Sequence, residues 1–323
     1  MRFIYYHSNM HEILLYYKYT KIADPKQLMR DQTALCKALD LKGRILISHE
    51  GINGTLGGLP ENTQKYIDAM KADARFQDVH WKRSTGPTDA FPRLSVRVRE
   101  EIVTGRLSTH EVDPNQITGK RLTPDELHKW FKEKKDFVII DMRNSYEYRF
   151  GHFRNSIDPG MENFYDLPKK IAKLKKKYKD KTVLTVCTGG VRCEKASGVL
   201  VKNGFGDVYQ LDGGMVSYME KYPAENYDGS LFVFDKRQNV YFESPEKHVV
   251  ISHCDFCNAK SEIMRNCCDS FCNGRMVSCE KCMPTDRCRE CPKCAKLPAF
   301  FKSLRRVYKR ILQWWKTVVI KNT

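Results

Sequence analysis

Cys187 ends the apolar run Thr182-Val183-Leu184-Thr185-Val186 and is followed by Thr188, Gly189, Gly190, Val191 and Arg192. A cysteine placed at the exit of a strand, with glycines behind it and a helix to follow, is equipped to be a nucleophile. Glycine lets the backbone curve inward so that several amides point at one sulfur, and a helix N-terminus adds positive potential. Both favour the thiolate over the thiol, and the same cradle would hold a persulfide, which is also an anion. The alternative is an inert cysteine, a small buried hydrophobe at the end of a strand. Cys193, one position past the 187–192 stretch, either resolves an oxidised Cys187 as a disulfide or packs under the helix.

A second concentration of sulfur lies near the C-terminus. Ten of the thirteen cysteines fall between residues 254 and 294: Cys254, Cys257, Cys267, Cys268, Cys272, Cys279, Cys282, Cys288, Cys291 and Cys294. Pairs separated by two residues form tight chelating knuckles suited to tetrahedral zinc, and ten thiolates are enough for two four-cysteine sites. His248 and His253 compete as ligands. An iron-sulfur cluster ranks second, from the spacing of Cys288, Cys291 and Cys294, and disulfides rank third. Crowding of this kind is a metal-ligand pattern of reducing compartments rather than a secreted disulfide scaffold.

The elements that must position these groups can be read from periodicity. Thr123-Pro124-Asp125-Glu126 has a capping threonine, a first-turn proline and a third-position glutamate, so a helix starts there. Phe137-Val138-Ile139-Ile140 is a wholly apolar strand ending at Asp141, as residues 182–186 end at Cys187. Two such runs separated by helical sequence predict a parallel sheet with helices on both faces, whose functional groups sit at the carboxyl ends of the strands. Ahead of it, a strand at 12–20, a helix at 25–40, a strand at 44–48 that turns on the glycines of 51–56 into another strand, a helix at 61–72 and strands at 79–83 and 93–99 follow the order of a split β-α-β-β-α-β ferredoxin-like module. The glycine-rich 51–58 stretch is expected to bend a hairpin, with phosphate cradling secondary, and His49 beside Glu50 is expected to be a turn residue facing solvent. Residues 100–120 lose periodicity and collect Gly105, Pro114, Asn115 and Gly119, as a linker does.

The fold class is therefore α/β and α+β multidomain. Its parts are a ferredoxin-like domain over 1–105, a parallel-sheet domain over 120–225, a cysteine-rich module over 250–298 and a basic amphipathic helix over 299–323. A chain of 323 residues with 41% hydrophobic residues has length and apolar content for two or three cores. No run of 18 apolar residues and no signal peptide is visible, which together with the cysteine usage places the protein in the cytoplasm.

Three stretches then occur in a telling order. Asp141-Met142-Arg143-Asn144-Ser145-Tyr146-Glu147-Tyr148, continued by Gly151-His152-Phe153-Arg154-Asn155-Ser156-Ile157, resembles the first motif of rhodanese domains. Residues 187–192 resemble their active-site loop, and Gly204-Phe205, Val208-Tyr209 and Leu211-Asp212-Gly213-Gly214 resemble their closing stretch. The continuation Cys193-Glu194-Lys195-Ala196-Ser197, behind an N-terminal domain carrying His49-Glu50-Gly51-Ile52-Asn53-Gly54-Thr55, resembles the rhodanese-domain tRNA uridine hydroxylase family over residues 12–222.

That resemblance implies conversion of the wobble uridine, position 34 of certain tRNAs, to 5-hydroxyuridine, with molecular oxygen as co-substrate and tRNA as partner. It implies that Cys187 is the nucleophile or persulfide carrier, that Arg192 helps bind anionic substrate, and that Asp141 and Arg143 brace the loop. The residue pattern alone reaches a stabilised thiolate and stops there. Two other functions compete: a sulfurtransferase acting on a small acceptor, and a nucleic-acid-binding or regulatory protein with an idle rhodanese domain.

Charge bears on that choice. A net charge of +17 and a pI near 9.3 point to a polyanionic partner, nucleic acid ahead of an anionic membrane. Residues 296–323 contain eight Lys or Arg and no acid, interleaved with apolar positions at helical spacing. A lysine run over 169–181 is either a solvated helix face or a phosphate contact. In the N-terminal domain Trp81, Lys82, Arg83, Arg93, Arg97 and Arg99 are the groups available to RNA. Basic segments on both sides favour the tRNA enzyme over a small-molecule sulfurtransferase, and the intact cysteine counts against an idle domain.

Overall fold

The computed structural model describes residues 11–107, 112–244, 246–269, 271–272, 274–284, 288–301 and 304. The chain forms two compact units, Met1–Val249 and Val250–Thr323. The expected basic helix over 299–323 lies, but for four residues, outside the described ones.

The first unit begins with β1 (His11–Tyr19), α1 (Pro25–Ala38), β2 (Lys42–Ser48), β3 (Gly51–Gly58), α2 (Pro60–Lys71), β4 (Lys82–Gly86) and β5 (Leu94–Val98). Helix α1 starts where it does because Pro25 opens its first turn and the Asp24 carboxylate accepts the amides of Lys26 and Gln27. The sheet order is β4-β1-β3-β2-β5, antiparallel except for β5 beside β2. That is the ferredoxin-like arrangement with one added edge strand. Leu14, Tyr16, Ile45, Ile47, Ile52 and Leu56 point to one face and form a core with α1 and α2. The alternate residues of the same strands form a helix-free face.

Two expectations in this region change. The glycine-rich stretch bends no hairpin: it is β3, the central strand, and the turn is made before it at His49 and Glu50. Its glycines serve close packing. A Cβ on Gly54 would lie 2.3 Å from the ring of Tyr16 opposite it, whose hydroxyl meets that of Tyr66 at 2.5 Å. Strand β4 starts later than expected, because Val79 and Trp81 are used in the core, Trp81 packing on Tyr16 and Tyr66.

The parallel sheet follows, with β6 (Lys120–Leu122), α3 (Pro124–Lys132), β7 (Val138–Asp141), α4 (Ser145–Tyr148), β8 (Gly151–Phe153), α5 (Leu167–Tyr178), β9 (Thr182–Val186), α6 (Val191–Lys202), β10 (Asp207–Leu211) and α7 (Gly214–Lys221). Its order is β6-β10-β9-β7, all parallel. The capping box at Thr123 and Glu126 opens α3 as read from the sequence. Alternate strand residues feed two cores: Ile140 and Val183 pack toward α5 and α6, Ile139 and Leu184 toward α3 and α7. The 169–181 lysines belong largely to α5, which buries Leu167, Ile171 and Leu174 and turns its charged face to solvent.

The two sheets of this unit are joined through α6. Lys195, wholly buried, places its ammonium 2.8 Å from the carboxylates of both Glu50 and Glu101. Glu50 also accepts the amide of Ile102, and Glu101 accepts those of Gly105, Arg106 and Leu107. Glu50 thus lies in the joint, while His49 beside it is exposed as expected. The segment after β5 is not a loose tether, since Ile102 is buried and Leu107 and Val112 enter the core under α6.

Removing one member of a buried ion cluster strands the others. Lys195→Met is expected to lower the unfolding free energy by about 3–5 kcal/mol. Adding Glu50→Gln and Glu101→Gln should restore most of it. Urea denaturation of the three proteins checks this, and a single variant as stable as the parent would show that the joint does not depend on the cluster.

Candidate active site

Cys187 leaves the carboxyl end of β9 and is fully buried. Helix α6 has Gly190, at φ 102°, as its N-cap, and Val191 and Arg192 already lie in its first turn. The loop proper is therefore Thr188, Gly189 and Gly190, and the sulfur sits against the open end of the helix. The Gly190 amide donates to Sγ at 3.2 Å, and the amides of Arg192 and Cys193 also point at it. Burial by itself would push the Cys187 thiol up. The Cys193 thiol, the Arg192 charge and these amides outweigh it and bring it down to about 6. Cys193 is raised, first by burial and then by its neighbour, so it stays a thiol donating to the Cys187 sulfur.

Arg192 reaches Glu147, at the end of the 141–148 motif, in a two-pronged ion pair of 2.7 and 2.8 Å. Burial would raise Glu147, but the charges of Arg192 and Arg143 hold it below the usual carboxylate range. Arg143 is gripped by Asp141 and by the carbonyl of Gly151, all of it buried. Asp141 and Arg143 thus set Glu147, Glu147 sets Arg192, and Arg192 faces the sulfur. The loop is closed from behind by α7: Met215 and Val216 donate their amides to the carbonyls of Cys187 and Thr188, and a Cβ on Gly214 would lie 2.7 Å from the Gly190 nitrogen.

From the other side the loop is met by the helix-free face of the N-terminal sheet. A Cβ on Gly189 would lie 2.9 Å from Leu15, and one on Gly190 2.8 Å from the Tyr17 hydroxyl. Tyr17 donates to Glu194 at 3.1 Å, and Tyr19 to the carbonyl of Val191 at 3.1 Å. Glu194 also takes Arg121 at 2.6 Å, and Arg121 reaches on to Asp212. Lys82, the neighbour of Leu15 on β4, is buried with its ammonium 5.4 Å from the Tyr17 ring. Of the groups proposed for RNA, Trp81 is in the core, Arg83 is paired with Glu12, and Lys82 faces the cysteine site. Arg93, Arg97 and Arg99 are exposed.

In the second unit the cysteines fall into two groups, each with its sulfurs within 4.8 Å of one another: Cys254, Cys257, Cys279 and Cys282, and Cys267, Cys272, Cys291 and Cys294. The first pair along the chain converges with the third and the second with the fourth. Strands Met264–Asn266 and Arg275–Val277 pair between them. Either group could hold a metal ion. Tetrahedral zinc at about 2.3 Å from each sulfur would set sulfurs about 3.8 Å apart. Cys257 and Cys279, and Cys272 and Cys291, stand at 3.6 Å. Of the ten expected ligands, Cys268 and Cys288 join neither group, because they are bonded to each other. Among the described residues His248 and His253 join neither group.

Comparison with known proteins agrees with this layout. The UPF0176 acylphosphatase like domain matches residues 11–102, the rhodanese-like domain residues 123–221, and the domain described as "Rhodanase C-terminal" residues 228–295. The tRNA uridine(34) hydroxylase of Bacillus licheniformis is 43% identical over 276 residues, 85% of each chain. That of Staphylococcus aureus strain MSSA476 is 45% identical over 273 residues, 84% of this chain and 85% of its own. This chain belongs to the tRNA uridine(34) hydroxylase family. A solved rhodanese-like domain protein from Staphylococcus aureus is 30% identical over 31% of this chain and 90% of its own, with a TM-score of 0.27.

Within this member of the tRNA uridine(34) hydroxylase family, the residues singled out around the loop do converge: Cys187, Thr188, Gly189, Gly190, Val191, Arg192 and Cys193 form one site, with Asp141 and Arg143 two contacts behind. The Arg192 guanidinium is paired with Glu147 on two prongs, beside the sulfur. Sequence reasoning misses Glu147, Glu194, Arg121, Tyr17 and Lys82 as parts of the site. Glu147 and Glu194 sit inside quoted motifs and are within its reach. Arg121 comes from β6, at the edge of the sheet that carries Cys187, and Tyr17 and Lys82 come from the N-terminal sheet, which only its contact with the loop brings in.

The charge pattern predicts a thiolate that reacts at low pH. Alkylation of Cys187 by iodoacetamide, followed on its own peptide by mass spectrometry, should rise with pH through a midpoint near 6 and level off above it. In Arg192→Met with Glu147→Gln, which removes the cation without stranding the carboxylate, the midpoint should move up by about one unit or more. A parent midpoint near the ordinary thiol value of about 8.5 would refute the cradle.

Proposed function

We propose that this protein hydroxylates the uridine at position 34 of tRNA to 5-hydroxyuridine, using molecular oxygen as co-substrate and Cys187 as the attacking thiolate. The observation that carries this reading is the place of Cys187: an ionised sulfur at a joint between two sheets, one of which presents exposed arginines on the same face that meets the loop. Support comes from relatives of this length and 41–45% identity that carry the name tRNA uridine(34) hydroxylase.

The chain's own residues divide the task. Along the helix-free face, Tyr17 pairs with Asn53, Asn53 with Leu46 and Leu46 with Arg97, so one cross-strand row runs from the loop to the edge of the sheet. Arg44, Arg97 and Arg99 lie close enough together that Arg44, lowered first by burial, is lowered further by the other two. Such a cluster is suited to a phosphate backbone, whose negative charge relieves the repulsion among the guanidinium groups. A base reaches a buried sulfur only when turned out of its stack, as the unpaired uridine of an anticodon loop can be. Attack of the thiolate at carbon 6 then raises electron density at carbon 5, the position to be oxygenated. Arg192 and the amides at the head of α6 keep Cys187 ionised for that step. A sulfurtransferase serving a small acceptor is less well supported, since it would leave the net charge of +17 and the exposed arginine row without a use.

The second unit's two thiolate groups are read as two zinc sites with a folding role. The labour then falls to a ferredoxin-like part over 1–105, a catalytic part over 120–225, a metal-held module over 250–298 and a basic tail over 299–323. Among the described residues no helix is long and apolar enough to cross a membrane. The cytoplasm, where tRNA is modified, is the place of action.

Two measurements test these readings. In cells lacking the gene, mass spectrometry of tRNA nucleosides should show loss of 5-hydroxyuridine-derived wobble nucleosides, restored by the wild-type gene and not by Cys187→Ala; unchanged nucleosides in the deletion, with no second route to them, would sink the proposal. Protein purified without air should carry two zinc ions per chain. Cys268→Ser with Cys288→Ser should keep both ions, whereas Cys254→Ser should lose at least one; iron in place of zinc, or loss of metal in the first pair, would refute the assignment.

A further inference from the structure

Five cations are built into or beside the Cys187 site, and four are already held by carboxylates: Arg192 by Glu147, Arg143 by Asp141, Arg121 by Glu194 and Asp212, and Lys195 by Glu50 and Glu101. Lys82 is the exception. It is 4% exposed, and its ammonium makes no hydrogen bond or ion pair with the described residues, resting only near the Tyr17 ring. Its strand position is set by pairing with Leu15, which packs against Gly189, so it is held at the edge of the loop. The groups that face it are Cys187, Asp212 and Glu220, with Arg121 opposing and His80 nearby. A buried cation with open donors is expensive to keep unless a partner arrives.

We propose that Lys82 is a catalytic residue of this site, whose ammonium receives the uracil carbonyl oxygen that becomes negative when Cys187 adds to the ring. This rests on the function proposed above. In the step, a sulfur lone pair forms the bond to carbon 6. The pair of the 5,6 double bond moves between carbons 4 and 5, and the carbonyl pair at carbon 4 moves onto its oxygen. The negative charge that began on sulfur ends on that oxygen, and a Lys82 N–H donates to it; nothing is oxidised or reduced. The same movement in reverse expels the thiolate. A donor waiting in a buried site for charge that appears only during reaction lowers the barrier rather than the binding energy. A phosphate contact, in contrast, belongs on the exposed arginine row.

The step can be observed without oxygen. Addition of Cys187, uptake of deuterium at carbon 5 from D2O, loss of the original hydrogen and expulsion of the thiolate leave deuterium at carbon 5 of uridine 34. Deuterium incorporation into a tRNA substrate by the full-length protein is therefore measured alongside aerobic hydroxylation, tRNA affinity and Cys187 alkylation. The wild-type exchange rate should be bell-shaped, rising as Cys187 ionises near 6 and falling as Lys82, lowered mainly by its burial, loses its proton near 8. Lys82→Met should lower exchange and hydroxylation about 100-fold or more, remove the upper limb of the profile, and leave tRNA affinity within about threefold. Lys82→Arg should recover part of the rate and carry the upper limb to higher pH. Because Lys82→Met removes an unpaired buried charge, its thermal midpoint should not fall below the parent's, so a lost rate is not a lost fold.

The proposal is overturned by wild-type rates in Lys82→Met, by weakened tRNA binding at unchanged turnover, by an alkylation midpoint moved up by about one unit as the sole effect, or by hydroxylation without any exchange. A wild-type protein that makes no 5-hydroxyuridine on any tRNA refutes the parent reading instead.

Discussion

The ammonium of Lys195, buried on helix α6 between Glu50 and Glu101, ties the two sheets of the first unit together. Desolvating three charges is costly, their mutual attraction repays that cost only when the geometry is good, and removing one member strands the others. Glu50 lies in the turn between β2 and β3, and Glu101 just past β5. Fixing both against α6 leaves the N-terminal sheet one way to sit. Leu15, Tyr17 and Tyr19, alternating along β1, then fall on Gly189, Gly190 and the first turn of α6. The Cys187 site is for this reason composite, with the sulfur from one sheet and much of its surroundings from the other.

The features legible in the amino-acid sequence are those that local physics controls. The apolar run into Cys187, the glycines after it and the capping box at Thr123 each declare themselves within a few residues, and each sits in the fold as expected. The glycine-rich strand β3 misleads because glycine's usual meaning, a turn, is here overridden by a cross-strand tyrosine that needs the space of a missing side chain. Lys82 and Glu50 look like surface groups, since nothing within a few residues of either records that another domain will cover it. The pairing of the cysteines is illegible for a different reason: pairs of nearly equal spacing can be exchanged without changing the sequence pattern, and only chain topology chooses among them.

That choice matters for the second unit. Because the first cysteine pair joins the third and the second joins the fourth, the two sites interlock along the chain. Neither half of the module contains a complete group of four, so a metal held by either group would be taken up only as the whole module folds.

The crowding of the loop by Leu15 and Tyr17 bears on how long the enzyme survives. A sulfur ionised at neutral pH is the form that peroxides attack, and oxidation beyond the sulfenic acid is not reversed by thiols. Cys187 has no exposed surface at rest, so its lifetime depends on the neighbouring sheet as much as on its own loop. A catalytic domain cut away from that sheet would keep its charge network and carry it into open solvent, where the property that makes the sulfur useful would also make it short-lived.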